Sequence, residues 1–263
     1  YMYTDSDLVS IAKRENNNKR NYLVVNPLQG KHIPVSPGKA LQVFSELAGL
    51  LNIYRKERLL VVGFAETATA IGARVAMELG ADYIQTTRES IPGADYLFFS
   101  EEHSHATEQR LVKNDLDRVM DRIDRIIFAE DEVTTGKTLW NLITVLEQRY
   151  GRRIKYAAAS LLNGMSEEAV ETFTGRGIGL HYLVKISHDG YVETAAQAAD
   201  DGIYHQEDIS ETEYTACIDI GGRTDTRRLT DMLQYRDACD RLAEEMKERL
   251  PLRGCGKLLI LGT

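Results

Sequence analysis

The chain has 263 residues, 43% hydrophobic and 27% charged, an ordinary globular composition with room for one large domain or one domain and part of a second. Its formal net charge of −8 would repel a long anionic polymer, so no nucleic-acid partner is expected; a basic pocket for a small phosphate ester stays open. No apolar run nears the roughly 20 residues of a membrane span, and Cys217, Cys239 and Cys255 lack a paired metal-ligand pattern and suit a reducing cytoplasm.

Residues 1–20 are polar and end in Glu15-Asn16-Asn17-Asn18-Lys19-Arg20, which reads as a turn or surface loop. Tyr22 to Val25 is a short strand running into the turn Asn26-Pro27-Leu28-Gln29-Gly30. The spacing of Leu41, Phe44, Leu47, Ala48 and Leu51 predicts a helix over 38–52. Leu59 to Phe64 is an apolar strand, 67–80 a helix stopped at Gly80, and 82–87 and 95–99 are strands. Residues 108–122 read as helix, 125–129 as a buried strand, 137–149 as helix, 154–162 as strand, 166–174 as helix and 180–186 as strand. Buried strands alternating with helices predict an α/β fold with a parallel sheet covered on both faces. Residues 188–212 read as a connector, followed by a strand at 214–220, an amphipathic helix at 229–249 and a strand at 257–261. The boundary falls near residue 200, with 1–200 as one domain and 201–263 as connector and start of another. The chain opens at Tyr1 and ends just past an apolar strand, so an upstream segment and the rest of the second unit are expected.

The segment that carries chemistry is Ile126-Ile127-Phe128-Ala129-Glu130-Asp131-Glu132-Val133-Thr134-Thr135-Gly136-Lys137-Thr138-Leu139. A buried strand leads to an acidic pair, then to a Thr/Gly turn that opens a helix. Ligands of parallel sheets gather at the carboxyl ends of strands, and a helix start presents unpaired N–H groups and a positive dipole end to a phosphate. Gly136-Lys137-Thr138 also mimics the tail of a nucleotide-binding P-loop, but that motif needs a glycine where Asp131 stands, and the reading fails.

This segment resembles the binding motif for 5-phosphoribosyl-1-pyrophosphate (PRPP) of type I phosphoribosyltransferases. The resemblance implies that fold, a parallel sheet flanked by helices with a small N-terminal hood, followed here by a partial second α/β segment. It implies that Glu130 and Asp131 bind the ribose hydroxyls and lie at the metal, and that Thr134, Thr135, Gly136, Lys137 and Thr138 wrap the 5′-phosphate. It further implies Mg²⁺ as cofactor, a nitrogenous base as acceptor, pyrophosphate as product and a homodimer as the assembly.

The same resemblance makes Gly63-Phe64-Ala65-Glu66-Thr67-Ala68-Thr69 the pyrophosphate loop, with Ala65, Glu66 and Thr67 at the leaving group, Glu66 there either directly or through metal-bound water; an ordinary strand-to-helix turn is the other reading. The family's frequent glycine pair is missing there. Ser100 to Thr107 sits where the family has a mobile lid, which assigns His103 and His105 to catalysis; a metal-binding pair and an exposed loop are the other readings. Lys31 and His32 contact the base if 26–37 is the hood of an orotate phosphoribosyltransferase, and are solvated charges if it is a rigid Pro-bounded turn. Arg88 offers a phosphate contact or a surface salt bridge. Thr134 stands where some purine-specific relatives carry an aspartate, which favours an orotate-like or unusual acceptor. Gly175-Arg176-Gly177-Ile178-Gly179 follows a helix and reads as a turn, whereas Gly221 to Arg228 is a second candidate for an anion.

Taken together, these segments resemble the orotate-phosphoribosyltransferase-like proteins of bacterial tellurium-resistance and stress gene clusters, over residues 21–190. In that group a TRSP domain follows, and 213–263 resemble its beginning. A PRPP sensor without transferase activity is the alternative function.

Overall fold

The computed structural model describes residues 3–14, 21–100, 109–198, 219–250 and 256–258. Leu59–Gly63 (β3) is buried at every position, as a central strand covered on both faces must be. It pairs in parallel with Asp82–Gln85 (β4) on one side and Arg125–Val133 (β7) on the other. Lys155–Asn163 (β8) and Gly179–Lys185 (β9) continue the parallel sheet beyond β7. Thr230–Asp231 (β10) closes the opposite edge antiparallel to β4, giving the order β10-β4-β3-β7-β8-β9.

The chain leaves β3 toward β4 and leaves β7 in the opposite sense toward β8. With right-handed crossovers, the helices after those strands must lie on opposite faces. Thr69–Leu79 (α3) covers one face and packs on Pro37–Leu50 (α2); Lys137–Tyr150 (α5) and Glu167–Gly175 (α6) belong to the other. The fit of α3 on the sheet depends on glycine. A Cβ at Gly72 would sit 2.9 Å from Gly63 Cα and 2.9 Å from the Tyr83 ring, so helix and strand touch backbone to backbone.

Ahead of the sheet, Asp5–Leu8 (α1) precedes Ser10–Lys13 (β1), which pairs antiparallel with Tyr22–Val25 (β2) to form a small hood hairpin. The polar reading of 1–20 missed α1 and β1. Tyr191–Ala196 (α7) packs against this hairpin and lies within the expected connector.

The helix expected over 108–122 is replaced by Gln109–Val112 (β6), paired antiparallel with Tyr96–Phe99 (β5), and a short helix Lys113–Asp117 (α4). Cross-strand contacts Leu97↔Leu111 and Tyr96↔Val112 override the local helical pattern, because a four-residue strand is too short to show its period. This hairpin forms its own two-stranded sheet, tied by the Thr87↔Arg110 bridge to the residues just after β4. Met232–Arg249 (α8) matches the amphipathic helix expected near the end. Of the two expected flanking strands, 214–218 and 259–261 lie outside the described residues, and 219–220 carry no regular structure. No helix among the described residues is long and apolar enough to cross a membrane.

Candidate active site

The sheet order reverses between β3 and β7, so a crevice opens beyond their carboxyl ends. Two segments meet there: residues 64–68 after β3, and the acidic tip of β7 with the turn into α5.

Strand β7 runs on through the acids, with Glu130 opposite Ser160 and Glu132 opposite Leu162. Successive side chains in a strand alternate faces, so Glu130 and Glu132 leave one side and Asp131 the other. Asp131 is half-buried; its Oδ1 accepts from the Glu132 N–H at 3.0 Å, and its Oδ2 lies 3.5 Å from Lys31 Nζ. Gln29 Nε2 donates to Asp131 Oδ2 at 3.3 Å and to the Thr67 carbonyl at 2.9 Å, so one amide joins hood, loop and acid. Asn26 sets up that reach by accepting the Leu28 N–H at 2.9 Å, an Asx turn. Partial desolvation and the Lys31 ammonium hold the His32 imidazole below its ordinary pKa, against the opposing pull of Asp131.

At the mouth of α5, Gly136 adopts φ 80° and ψ −1°, a left-handed conformation that glycine takes without strain. A Cβ there would also strike Phe173 Cζ at 2.9 Å and Met165 Cε at 3.0 Å. Lys137 N–H donates to Thr135 Oγ1 at 3.3 Å, and no acid sits in the first helical turn to compete with an anion for the positive end of the dipole. Thr134, Thr135 and Lys137 line a cavity of about 530 Å³ together with Tyr22, Gly164, Ser166, Ala169 and His188. Thr138 is half-buried on the same first turn.

The loop after β3 is pinned from beneath. Ala65 N–H donates to Thr86 Oγ1 at 2.8 Å, and the Ala65 carbonyl accepts from Gln109 Nε2 at 2.7 Å; both partners are fully buried. The Ala65–Glu66 peptide is cis. Glu66 reaches outward, 4.0 Å from Arg88 Nε. A second cavity, of about 520 Å³, lies between Ala65, Glu66 and Thr69 on one side and Gln85 to Glu89 on the other, with Arg227 on its wall.

Of the residues singled out from sequence, Thr134, Thr135 and Lys137 thus share one cavity, and Ala65, Glu66 and Arg88 another. Lys31 meets Asp131. His103 and His105 lie outside the described residues. Arg176 of the glycine-rich turn is structural: it pairs with Glu147 and stacks over Trp140 at 4.5 Å.

Sequence reasoning missed Gln29, Gln109 and the wall around His188. His188 Nε2 lies 2.8 Å from Glu132 Oε1, its ring sits 6.2 Å from Tyr22 and 5.6 Å from Tyr191, and a Cβ on Gly164 would approach its Cε1 to 3.1 Å. The available signal was position: His188 follows the last parallel strand, at the end where ligands gather.

Among the described residues, no group of three or more His, Cys, Asp or Glu side chains is arranged to hold a metal. Glu130 and Asp131 leave the strand tip on different sides, so each would meet its own ligand atom and a metal would take one of the two. That donor set fits Mg²⁺, a hard cation that commonly takes one or two carboxylates, several waters and substrate phosphates.

Comparison with curated proteins gives no significant match. Among solved structures, the chain is similar to adenine phosphoribosyltransferase from Rhodothermus marinus, at 16% identity and TM-score 0.47 over 69% of this chain and 96% of that one. It is similar to orotate phosphoribosyltransferase from Aeropyrum pernix at 15% identity and TM-score 0.42, over 73% and 94%. Adenine phosphoribosyl transferase from Trypanosoma brucei, in complex with AMP, pyrophosphate and ribose-5-phosphate, matches at 13% identity and TM-score 0.48, over 80% and 86%. The phosphoribosyl transferase family model matches residues 8–187, a span that holds the hood hairpin, all five parallel strands and both loops of the crevice. On that match, the chain belongs to the phosphoribosyl transferase family of enzymes.

Proposed function

We propose that the chain transfers a phosphoribosyl group from PRPP to a nitrogenous base, orotate-like or unusual, and releases pyrophosphate in a Mg²⁺-dependent reaction. The observation that carries this reading is the meeting of an acidic strand tip, an open helix mouth and a pinned backbone loop at one switch point. Three ends of one ligand have three chemically suited places. Glu130 and Asp131 take the ribose hydroxyls, and Thr134 to Thr138 with the α5 N–H groups take the 5′-phosphate. Arg88 and the backbone of Glu66 and Thr67 take the pyrophosphate, on a loop that Ala65 holds in place through Thr86 and Gln109.

In the reaction, the bond from the anomeric carbon to pyrophosphate oxygen breaks as the acceptor nitrogen forms its bond. The ribose grip holds the carbon in line, and the backbone donors after β3 stabilise charge growing on the leaving group. Mg²⁺, held at Glu130 or Asp131 with the phosphates, would add neutralisation of that charge. The catalytic role of His103 and His105, which lie outside the described residues, enters the proposal through the sequence resemblance alone. The acceptor rests at Lys31 and His32 on the hood, and against the Tyr22 and His188 rings, where a flat heterocycle can stack.

The finer assignments are part of the same proposal: an orotate-like member of the tellurium-resistance and stress gene clusters, with domains 1–200 and 201–263, the second the start of a TRSP domain. It acts as a homodimer in the cytoplasm.

One observation favours a second reading, a PRPP sensor. Gln29 and Lys31 already contact Asp131 Oδ2, so a ligand hydroxyl at that oxygen would compete with the hood, as a conformational signal would require. Calorimetry with PRPP and Mg²⁺, followed by pyrophosphate release across a panel of bases, separates the two. Binding with release supports the transferase, binding without release for any base supports the sensor, and no binding sinks both.

A further inference from the structure

The Gly- and Arg-rich run at 221–228 lies beyond the span that the family model matches, yet it reaches the crevice. Gln85 N–H donates to the Thr226 carbonyl at 3.0 Å, and Thr226 Oγ1 to Gln85 Oε1 at 2.8 Å. Two residues on, Arg228 holds Asp115, only 1% exposed, through Nε at 2.6 Å and Nη2 at 2.7 Å; Leu229 N–H adds a third bond at 3.0 Å. These anchors on both sides fix Arg227 on the wall of the cavity that begins at Ala65 and Glu66.

Arg227 is itself oriented. Its Nε and Nη2 grip the two oxygens of Asp225 at 2.8 and 2.9 Å, and Nη1 meets Glu89. A guanidinium has five N–H donors, so a bond-by-bond count leaves one on each terminal nitrogen. Thr86, Thr87 and Arg88 share the cavity; its lining carboxylates, Glu66 and Glu89, match its two guanidiniums, and Asp225, bonded to Arg227, adds a third acid. A bare polyanion would meet these acids there; pyrophosphate complexed with Mg²⁺ carries less charge and suits the site better.

We propose that Arg227 binds the pyrophosphate end of the ligand, so that a segment outside the family module completes the leaving-group half of the site in cis. This rests on the PRPP reading above. The test is calorimetry on the full chain with two probes, inorganic pyrophosphate plus Mg²⁺ and ribose 5-phosphate. Arg227→Ala should weaken pyrophosphate binding by about tenfold or more, the scale of one charge-assisted hydrogen bond, and leave ribose 5-phosphate within about twofold. Arg227→Lys should fall between, since it keeps the charge and loses the fork. Should the alanine variant not fold, the lysine variant decides, and unchanged pyrophosphate affinity in it overturns the proposal. Wild-type protein that binds ribose 5-phosphate but not pyrophosphate overturns this inference alone. Protein that binds neither overturns the PRPP reading with it.

Discussion

His188 Nε2 lies 2.8 Å from Glu132 Oε1, joining the end of the last parallel strand to the acidic tip of the central one. His188 lines the same cavity as Tyr22 and the 134–137 turn, and Gly164 leaves the room that the imidazole occupies. His188→Ala should therefore act on the acceptor: its KM should rise by about tenfold, the loss of one stacking and hydrogen-bonding partner, with PRPP affinity within about twofold. Steady-state kinetics with each substrate varied in turn checks this. An unchanged acceptor KM would remove His188 from the site.

The acidic tip gives a sharper expectation. Glu130→Gln with Asp131→Asn keeps the size of both side chains and removes the charge that accepts from sugar hydroxyls. PRPP binding should drop by about a hundredfold or more, from two lost charge-assisted bonds of about 1.5 kcal/mol each. The melting temperature should hold within a few degrees. Calorimetry and a thermal melt on the same preparation are the measurements, and retained affinity would refute the ribose assignment.

Gly136 tests the helix mouth. Alanine there meets two costs, a left-handed backbone and a Cβ that would lie 2.9 Å from Phe173. Together they should destabilise the fold by roughly 2–4 kcal/mol and weaken ribose 5-phosphate binding. Urea unfolding measures the first effect and calorimetry the second. Wild-type stability in Gly136→Ala would mean that the turn relaxes without strain.

Asp115 ties the C-terminal segment to the core and sets a pH dependence. Burial alone would raise its pKa, but Arg228, the Leu229 N–H and Arg118 outweigh burial and hold it below the ordinary carboxylate value. A depressed folded pKa contributes stability that is fully present above the unfolded value of about 3.9 and lost as pH falls through the folded one. Asp115→Asn should cost about 2 kcal/mol near neutral pH, discounted because Arg228 keeps over a third of its exposure. Its stability should also fall less steeply than wild type between about pH 5 and pH 2. Parallel slopes for the two proteins would exclude Asp115 as the titrating group.

Local chemistry made part of this protein legible from its residues alone. The buried runs at 59–63, 126–129 and 156–162 announce parallel strands because a strand covered on both faces must be mostly apolar. The acids, threonines and glycine of 130–138 can be read because the whole proposed phosphate-binding unit is contiguous in the chain. Contacts between distant residues left no such trace. Gln29 meets Asp131 across 102 positions, His188 meets Glu132 across 56 and Thr226 meets Gln85 across 141. Strand β5 was legible at 95–99, but its partner β6 was read as helix, because a four-residue strand is too short to show its period. What tertiary structure decided was which loops face the same crevice. That follows from strand order and crossover handedness, long-range properties that no window of neighbouring residues encodes.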